Sequence, residues 1–356
     1  MIRVVIMAGG TGGHVFPALA VANELRGAEV KLSWLGTRRG IESRLVPDAN
    51  IELDFMSVQG VRGRGVIGLI KAPFLVGLAV LQALGVLRQR KPDVVVGFGG
   101  FASGPGGIAA KILGVPLVVH EQNAVAGTTN KILSRVAART LTGFDGVFER
   151  GEWVGNPVRE SITKLAEPAD RYKVRNAESL RLLVLGGSLG ALAINELLPQ
   201  ALALLNVNER PHVRHQCGAK HGEVTAAAYK KVQVQAAIEP FIDDMAAAYE
   251  WADFVICRAG ALTIAELSAA GVASLLVPLP TAIDDHQTHN AAVLAGVGAA
   301  LSVPQKDLSP AKLADLIRTH CGDRKQLMQM AECARKVDRP NAAQRVAKII
   351  EELAHG

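Results

Sequence analysis

Aromatic residues are scarce, at 4% of a 356-residue chain that is 49% hydrophobic. A core of that kind, rich in Gly and Ala, argues against a β-sandwich and suits helices packed closely on parallel strands. Cysteine is also sparse: Cys217, Cys257, Cys321 and Cys333 show no CxxC spacing, and Cys257 falls in an apolar strand-like run. Neither a disulfide framework nor a zinc site is indicated, and a reducing cytoplasm fits best. The start, Met-Ile-Arg-Val-Val-Ile, meets a Gly-rich turn at once and lacks a signal peptide's charged start and cleavage region. The net charge of +6 comes without a nucleic-acid motif or aromatic-basic interleaving, so no nucleic-acid partner is expected. A mild basic excess is compatible with phosphates or anionic lipid.

What is present is an alternation of apolar, β-rich runs with helical patterns. The runs are Ile2 to Ala8, Val30 to Leu35, Asp93 to Phe98, Val115 to His120, Arg181 to Leu185, Asp253 to Cys257 and Ala273 to Pro278. This order predicts an α/β class with parallel sheets and right-handed crossovers. The length supports two domains. A boundary is expected near Pro157, giving 1–157 and 158–339, because Glu160 to Ser179 is polar with little apolar periodicity. A terminal helix follows Pro340, within 340–356, and its spacing leaves open which half it packs on.

Each half opens with an apolar strand, a Gly-Gly turn and an Ala/Leu-rich helix, the pattern of paired Rossmann-type units. Gly9-Gly10-Thr11-Gly12-Gly13-His14 leads into a helix with Pro17 in its first turn. Glycines let backbone approach a ligand, and helix N-terminal amides favour an anion. A dinucleotide site is disfavoured: the G-x-G-x-x-G register from Gly10 reaches Val15, and Trp34-Leu35-Gly36-Thr37-Arg38 brings no ribose-binding acid. For one loop alone, tight strand–helix packing explains the glycines as well. Three more loops favour ligand binding: Gly99 to Gly107, Gly186-Gly187-Ser188-Leu189-Gly190, and Arg258 to Glu266. Asp284 to Asn290 reads as a helix N-cap and polar helix start rather than a metal cluster, so no structural metal is expected.

The motifs GGTGGHVFP (Gly9 to Pro17), GGFASGPGG (Gly99 to Gly107), HEQN (His120 to Asn123), GNPVR (Gly155 to Arg159), GGSLG (Gly186 to Gly190), ALTIAE (Ala261 to Glu266) and DHQTHNA (Asp285 to Ala291) occur in order. Together they resemble the bacterial UDP-N-acetylglucosamine:lipid I N-acetylglucosaminyltransferases of the GT-B fold, over nearly the whole chain. The resemblance implies two Rossmann-like domains with parallel sheets facing an interdomain cleft. It implies inverting transfer of GlcNAc from UDP-GlcNAc to the muramoyl C4 hydroxyl of lipid I, forming lipid II in peptidoglycan synthesis, a step of cell-wall biogenesis on which cell shape and division depend.

By the same resemblance the C-terminal domain holds the donor, with Ser188 and Arg159 on its phosphates, Glu266 on the ribose, the Ile242 backbone on uracil and Gln287 on the sugar. Ala261, Leu262, Thr263, Ile264 and Ala265 offer amides to the diphosphate. Thr11, Gly12, Gly13 and Asn123 complete the pocket. Gly10, Thr11, Gly12, Gly13, Gly100, Ser103 and Gly104 are candidates for the acceptor diphosphate. His14 is the candidate base, since its ordinary pKa near ~6.5 leaves neutral imidazole at pH 7; a positioning donor is the rival role. Loop amides, the helix dipole and Arg159 can meet the charge on departing UDP, so no metal or cofactor is required. Phe101 and Leu189 stand where many members carry Tyr and Gln.

The apolar run Ala72 to Leu87, interrupted by Gln82, is shorter than the ~20 residues that span a bilayer. Arg62, Arg64 and Lys71 precede it and Arg88, Arg90 and Lys91 follow. That arrangement suits both a crossover helix on the first sheet and a peripheral patch on an anionic membrane. The resemblance implies the cytoplasmic face of the bacterial inner membrane, with cell-wall synthesis proteins as candidate partners. A UDP-GlcNAc 2-epimerase of related fold and a non-catalytic carrier of UDP-sugar or polyprenyl diphosphate are the competing readings.

Overall fold

A computed structural model describes the chain except residues 28, 58–64, 176–178, 188, 189 and 356, and the side chains of 65–72 and 321. The expected contacts of Ser188 and Leu189 and the charges of Arg62, Arg64 and Lys71 therefore lie outside what the structure describes. The chain divides into two compact units, Met1–Arg159 with Asn341–Gly356, and Glu160–Pro340.

The first unit holds seven strands, β1 (Ile2–Met7), β2 (Val30–Thr37), β3 (Glu52–Met56), β4 (Val94–Gly97), β5 (Leu117–Glu121), β6 (Arg139–Thr142) and β7 (Glu152–Trp153). They form one parallel sheet in the order β3-β2-β1-β4-β5-β6-β7. Its helices are α1 (Gly12–Glu24), α2 (Glu42–Asp48), α3 (Gly65–Arg90), α4 (Ser103–Ile112) and α5 (Thr128–Leu133). Alternation along β1 feeds both faces, because successive strand side chains point to opposite sides. Ile2, Val4 and Ile6 join a core with Val15, Ala18 and Val21 of α1, whereas Val5 and Met7 join Ala83, Leu84 and Leu87 of α3 and Ala109 of α4.

The second unit opens on α6 (Glu160–Thr163) and α7 (Pro168–Val174), within the stretch whose sequence shows little periodicity. Its strands are β8 (Arg181–Leu185), β9 (His212–Gln216), β10 (Ala237–Glu239), β11 (Phe254–Cys257), β12 (Ala273–Leu276) and β13 (Ala300–Ser302), parallel in the order β10-β9-β8-β11-β12-β13. The helices are α8 (Leu192–Ala203), α9 (Gly222–Lys231), α10 (Met245–Trp251), α11 (Ala261–Ala270), α12 (His286–Ala295), α13 (Pro310–Cys321) and α14 (Arg324–Val337). In both sheets the order reverses beside the opening strand, the place where open parallel sheets bind ligands.

The last helix, α15 (Ala342–His355), belongs to the first unit. Val346, Ala347 and Ile350 enter the same core as Ile2, Val4 and α1, and Arg345 pairs with Glu152 at 2.9 Å. Asn341, with φ 66°, makes the left-handed turn that lets the chain re-enter this unit.

All the sequence-predicted strands form, within a residue or two at each end. Those without an apolar run in the sequence, β3, β6, β7, β9, β10 and β13, include all the outer strands, where part of each strand faces solvent and the pattern is mixed.

Candidate active site

In the first unit the loop after β1 is held from beneath. Gly10, at φ 92°, donates its amide to Glu42 Oε2 at 2.9 Å. Glu42 Oε1 accepts from the amide and hydroxyl of Thr37 at 2.9 and 2.7 Å. The Gly10 amide is thus committed inside the protein. Thr11 caps α1 with extended backbone, and Gly12 and Gly13 open the helix, so their amides are among those with no carbonyl of their own helix to meet.

The loop after β4 presses against this one. Gly99 and Gly100 have φ of 98° and 81°. A side chain at Gly100 would overlap the Gly9 carbonyl, and a methyl at Gly99 would lie 2.9 Å from the His14 ring. The two loops therefore need glycine at both positions for close approach as well as for conformation. The His14 ring sits over Gly99, and its Nδ1 lies 3.5 Å from Thr11 Oγ1.

Ser103 does not offer its hydroxyl outward. It is fully buried, accepts from the Gly99 amide at 3.0 Å, and has the Gly99 and Met7 carbonyls as acceptors at 2.7 and 2.9 Å. Its side chain pins the loop. Gly104 opens the first turn of α4, its Cβ direction facing Thr129.

The HEQN segment ends β5 in a buried polar network. His120 Nε2–H donates to the Gly155 carbonyl at 2.9 Å, and Nδ1 accepts from Gln122 Nε2 at 3.1 Å. Burial pushes its pKa down to about 4, against smaller upward pulls from the Gly155 carbonyl and Glu121, so the ring is neutral. Phe98 stacks on it at 5.4 Å. Glu121 Oε1 accepts from both the amide and Nδ2 of Asn123, at 2.9 and 3.1 Å, which orients that residue. Asn156 Nδ2 reaches the Gln122 carbonyl at 2.9 Å. The same run ends at Arg159, whose guanidinium lies 5.5 Å from the Phe16 ring centroid, a cation–π distance.

In the second unit the loop after β8 is fixed by Gln216. Its Oε1 accepts from the Gly187 amide at 2.9 Å, and its Nε2 donates to the carbonyls of Gly187 and Pro240, both at 3.0 Å. Beneath lies a second buried chain. Asn195 Nδ2 donates to the Cys217 carbonyl at 2.9 Å, so Asn195 Oδ1 accepts from His215 Nε2–H at 2.9 Å and His215 Nδ1 must accept from the Tyr229 hydroxyl at 2.9 Å. Burial pushes His215 down to about 4 and raises Tyr229.

Gly260 caps α11 with extended backbone. The Ile264 amide already closes the first turn on the Gly260 carbonyl at 3.0 Å, and Ala265 follows in the helical ladder. Of the five amides expected to face a diphosphate, only those of Ala261, Leu262 and Thr263 lack an acceptor in their own helix. Glu266 is buried one turn further and accepts from the Tyr249 hydroxyl at 3.0 Å. The nearby Cys257 thiol is pushed up to about 12, chiefly by burial and then by Glu266, which makes it an inert part of the core.

Gln287 Oε1 accepts from the amides of Ala259 and Leu279 at 3.2 and 3.0 Å, leaving its Nε2 as the group available to a sugar. Asn290 Nδ2 supports the same loop through the Ala259 carbonyl at 3.1 Å. Asp285 precedes α12 at φ 50°, but its carboxylate takes the Thr288 hydroxyl at 2.7 Å and caps no backbone amide. Ile242 is buried.

Glu42, Gln216, Asn195, His215 and Asn290 went unnoticed in the sequence. Each was an isolated polar residue outside a motif or, for Asn290, inside DHQTHNA without a role of its own. The one available signal was Glu42 flanked by Gly36 and Gly40.

The chain matches the glycosyltransferase family 28 N-terminal domain over residues 4–142 and the family's C-terminal domain over 181–352. The chain belongs to glycosyltransferase family 28. A Cellvibrio japonicus relative, named UDP-N-acetylglucosamine--N-acetylmuramyl-(pentapeptide) pyrophosphoryl-undecaprenol N-acetylglucosamine transferase, is 60% identical over 100% of this chain and 99% of its own length. A Nitrosococcus oceani protein of the same name is 53% identical, again over 100% and 99%. Among solved structures, MurG of Acinetobacter baumannii superposes with a TM-score of 0.86 at 45% identity, over 99% of this chain and 100% of that one. The family's two Rossmann-like, parallel-sheet domains of the GT-B class correspond to the two units described above.

Proposed function

We propose that this family 28 glycosyltransferase transfers GlcNAc from UDP-GlcNAc to the C4 hydroxyl of the N-acetylmuramyl sugar of lipid I, the pentapeptide-bearing pyrophosphoryl-undecaprenol acceptor, with inversion, and so makes lipid II. The observation that carries the reading is full-length identity of 60% to a relative named for that transfer. The residues suit the chemistry. A nucleotide-sugar donor and a diphosphate-linked acceptor each present a pyrophosphate, and each unit supplies a Gly-rich turn and helix N-terminus at the strand ends.

In the proposed mechanism the C4 oxygen attacks the anomeric carbon as the bond to the UDP β-phosphate oxygen breaks. His14 takes the hydroxyl proton, and the amides of Ala261 to Thr263 with Arg159 stabilise the departing diphosphate. Ser188 is proposed to assist on the donor phosphates, Glu266 to hold the ribose, the Ile242 backbone the uracil and Gln287 Nε2 the sugar. Thr11, Gly12, Gly13, Asn123, Gly100 and Gly104 are proposed to line the site from the first unit.

No helix among the described residues is long and apolar enough to cross a membrane. Along α3, Ala79, Ala83, Leu84 and Leu87 are buried, while Phe74 and Leu81 are 76% and 65% exposed and Leu75, Val76 and Leu78 are also exposed. Such an apolar surface flanked by Arg88 supports peripheral attachment to an anionic membrane, which for this substrate is the cytoplasmic face of the inner membrane. Cell-wall synthesis proteins are the natural partners of an enzyme placed there.

The test is UDP release from UDP-GlcNAc with and without a soluble lipid I analogue, coupled to mass analysis of the acceptor. Acceptor-dependent release with one added GlcNAc is expected. UDP-GlcNAc consumed into an epimeric sugar, or bound without turnover, would replace the transferase by the epimerase or carrier reading.

A further inference from the structure

We infer that Glu42 is a positioning residue for acceptor recognition, setting the loop Gly9 to Gly13 from beneath. The inference rests on the acceptor role proposed above for that loop.

Glu42 lies at the start of α2, fully buried, 32 residues from the loop it holds. Burying a carboxylate is costly unless its oxygens are filled, and here both are: Oε2 by the Gly10 amide at 2.9 Å, Oε1 by the Thr37 amide at 2.9 Å and hydroxyl at 2.7 Å. Three glycines, Gly36 within β2 and Gly9 and Gly40 in the loops after β1 and β2, make room for the group. A methyl at Gly9 would lie 2.5 Å from Oε1, one at Gly36 would lie 2.8 Å from Cγ, and one at Gly40 would overlap the carboxylate.

The carboxylate therefore joins the carboxyl end of β2 to the loop after β1. An apolar side chain could fill the same space, as the neighbouring core does, but could not hold an amide at a left-handed glycine. Turning the Gly10 amide inward fixes the peptide that precedes Thr11, Gly12 and Gly13. With the loop so fixed, the opening amides of α1 and the His14 ring stand in one arrangement before a ligand arrives. Preorganisation of this kind lowers the cost of binding and of reaching the transition state.

Glu42→Gln keeps shape and size but puts an amide group where one oxygen accepted, so either Gly10 or Thr37 faces another donor. The expected result is a fall in kcat/KM for the soluble lipid I analogue of about tenfold or more, with UDP affinity by calorimetry within about twofold of wild type, since the uracil, ribose and most diphosphate contacts are proposed in the other unit. Glu42→Asp retains charge but is one methylene short of spanning both partners, and is expected to fall similarly. Gly40→Ala displaces the carboxylate while keeping every hydrogen-bonding group; it answers the question if the Glu42 variants do not fold. Folded variants whose acceptor kinetics stay within about twofold of wild type would overturn the inference, as would UDP affinity falling in parallel with acceptor kinetics, which marks a general loss of structure. Wild-type enzyme showing no acceptor-dependent UDP release would instead remove the function on which the inference rests.

Discussion

Acidification from pH 7.5 to 5 is expected to destabilise both units. Each unit contains one fully buried, neutral histidine, His120 in the first and His215 in the second. Both rings use one nitrogen as donor and the other as acceptor, so a second ring proton would face a donor. Burial holds each pKa near about 4, against ~6.5 in an unfolded chain. Above pH ~6.5 neither state is protonated and the full stability is present. Below it the unfolded chain takes up protons that the folded one refuses, so stability falls with pH until the folded pKa is passed. At pH 5 the difference is about 2 kcal/mol for each histidine, a large part of the ~5–15 kcal/mol typical of a domain. Asp93, held below its ordinary value mainly by its hydrogen bond to Arg3, titrates at lower pH and does not enter this window. Urea unfolding at several pH values, with hydrogen exchange by mass spectrometry assigning the loss to each unit, measures the slope. His215→Gln removes one titrating group and should flatten the slope of the second unit alone. Equal stability of wild type at pH 7.5 and 5, or an unchanged slope in the variant, would refute the reasoning.

Arg159→Ala is expected to raise the KM for UDP-GlcNAc by about tenfold, the loss of one charge-assisted contact, in steady-state kinetics with the acceptor analogue saturating. His14→Ala should lower kcat by about a hundredfold or more while UDP affinity stays near wild type if His14 is the base; normal turnover would remove that role. Phe74→Ser together with Leu81→Ser should weaken partitioning onto anionic vesicles in a flotation assay, by about 2 kcal/mol or more if both side chains enter the lipid. Unchanged partitioning would place the membrane contact elsewhere.

The sequence alone determined the class of fold, because strands buried on both faces must be continuous apolar runs, as in Val94 to Val96 and Leu182 to Leu185. It also located the Gly-rich loops. Gly99, Gly100, Gly187 and Gly190 occupy positive φ, a conformation that selects glycine and so leaves a mark in the sequence. What tertiary structure decided were contacts between residues far apart in the chain. The Ser103 hydroxyl meets the Met7 carbonyl, 96 residues away, and the Gly10 amide meets Glu42, 32 residues away. Gln216 reaches Gly187 across 29 residues, and no local pattern requires a glutamine there. The last helix, amphipathic by spacing, was free to cover either sheet, and only the fit of Val346 and Ile350 beside Ile2, Val4 and α1 placed it on the first. Periodicity and backbone conformation are local and are written in neighbouring residues. The partner of a buried polar atom is set by how strands and helices pack, and no short stretch of sequence contains it.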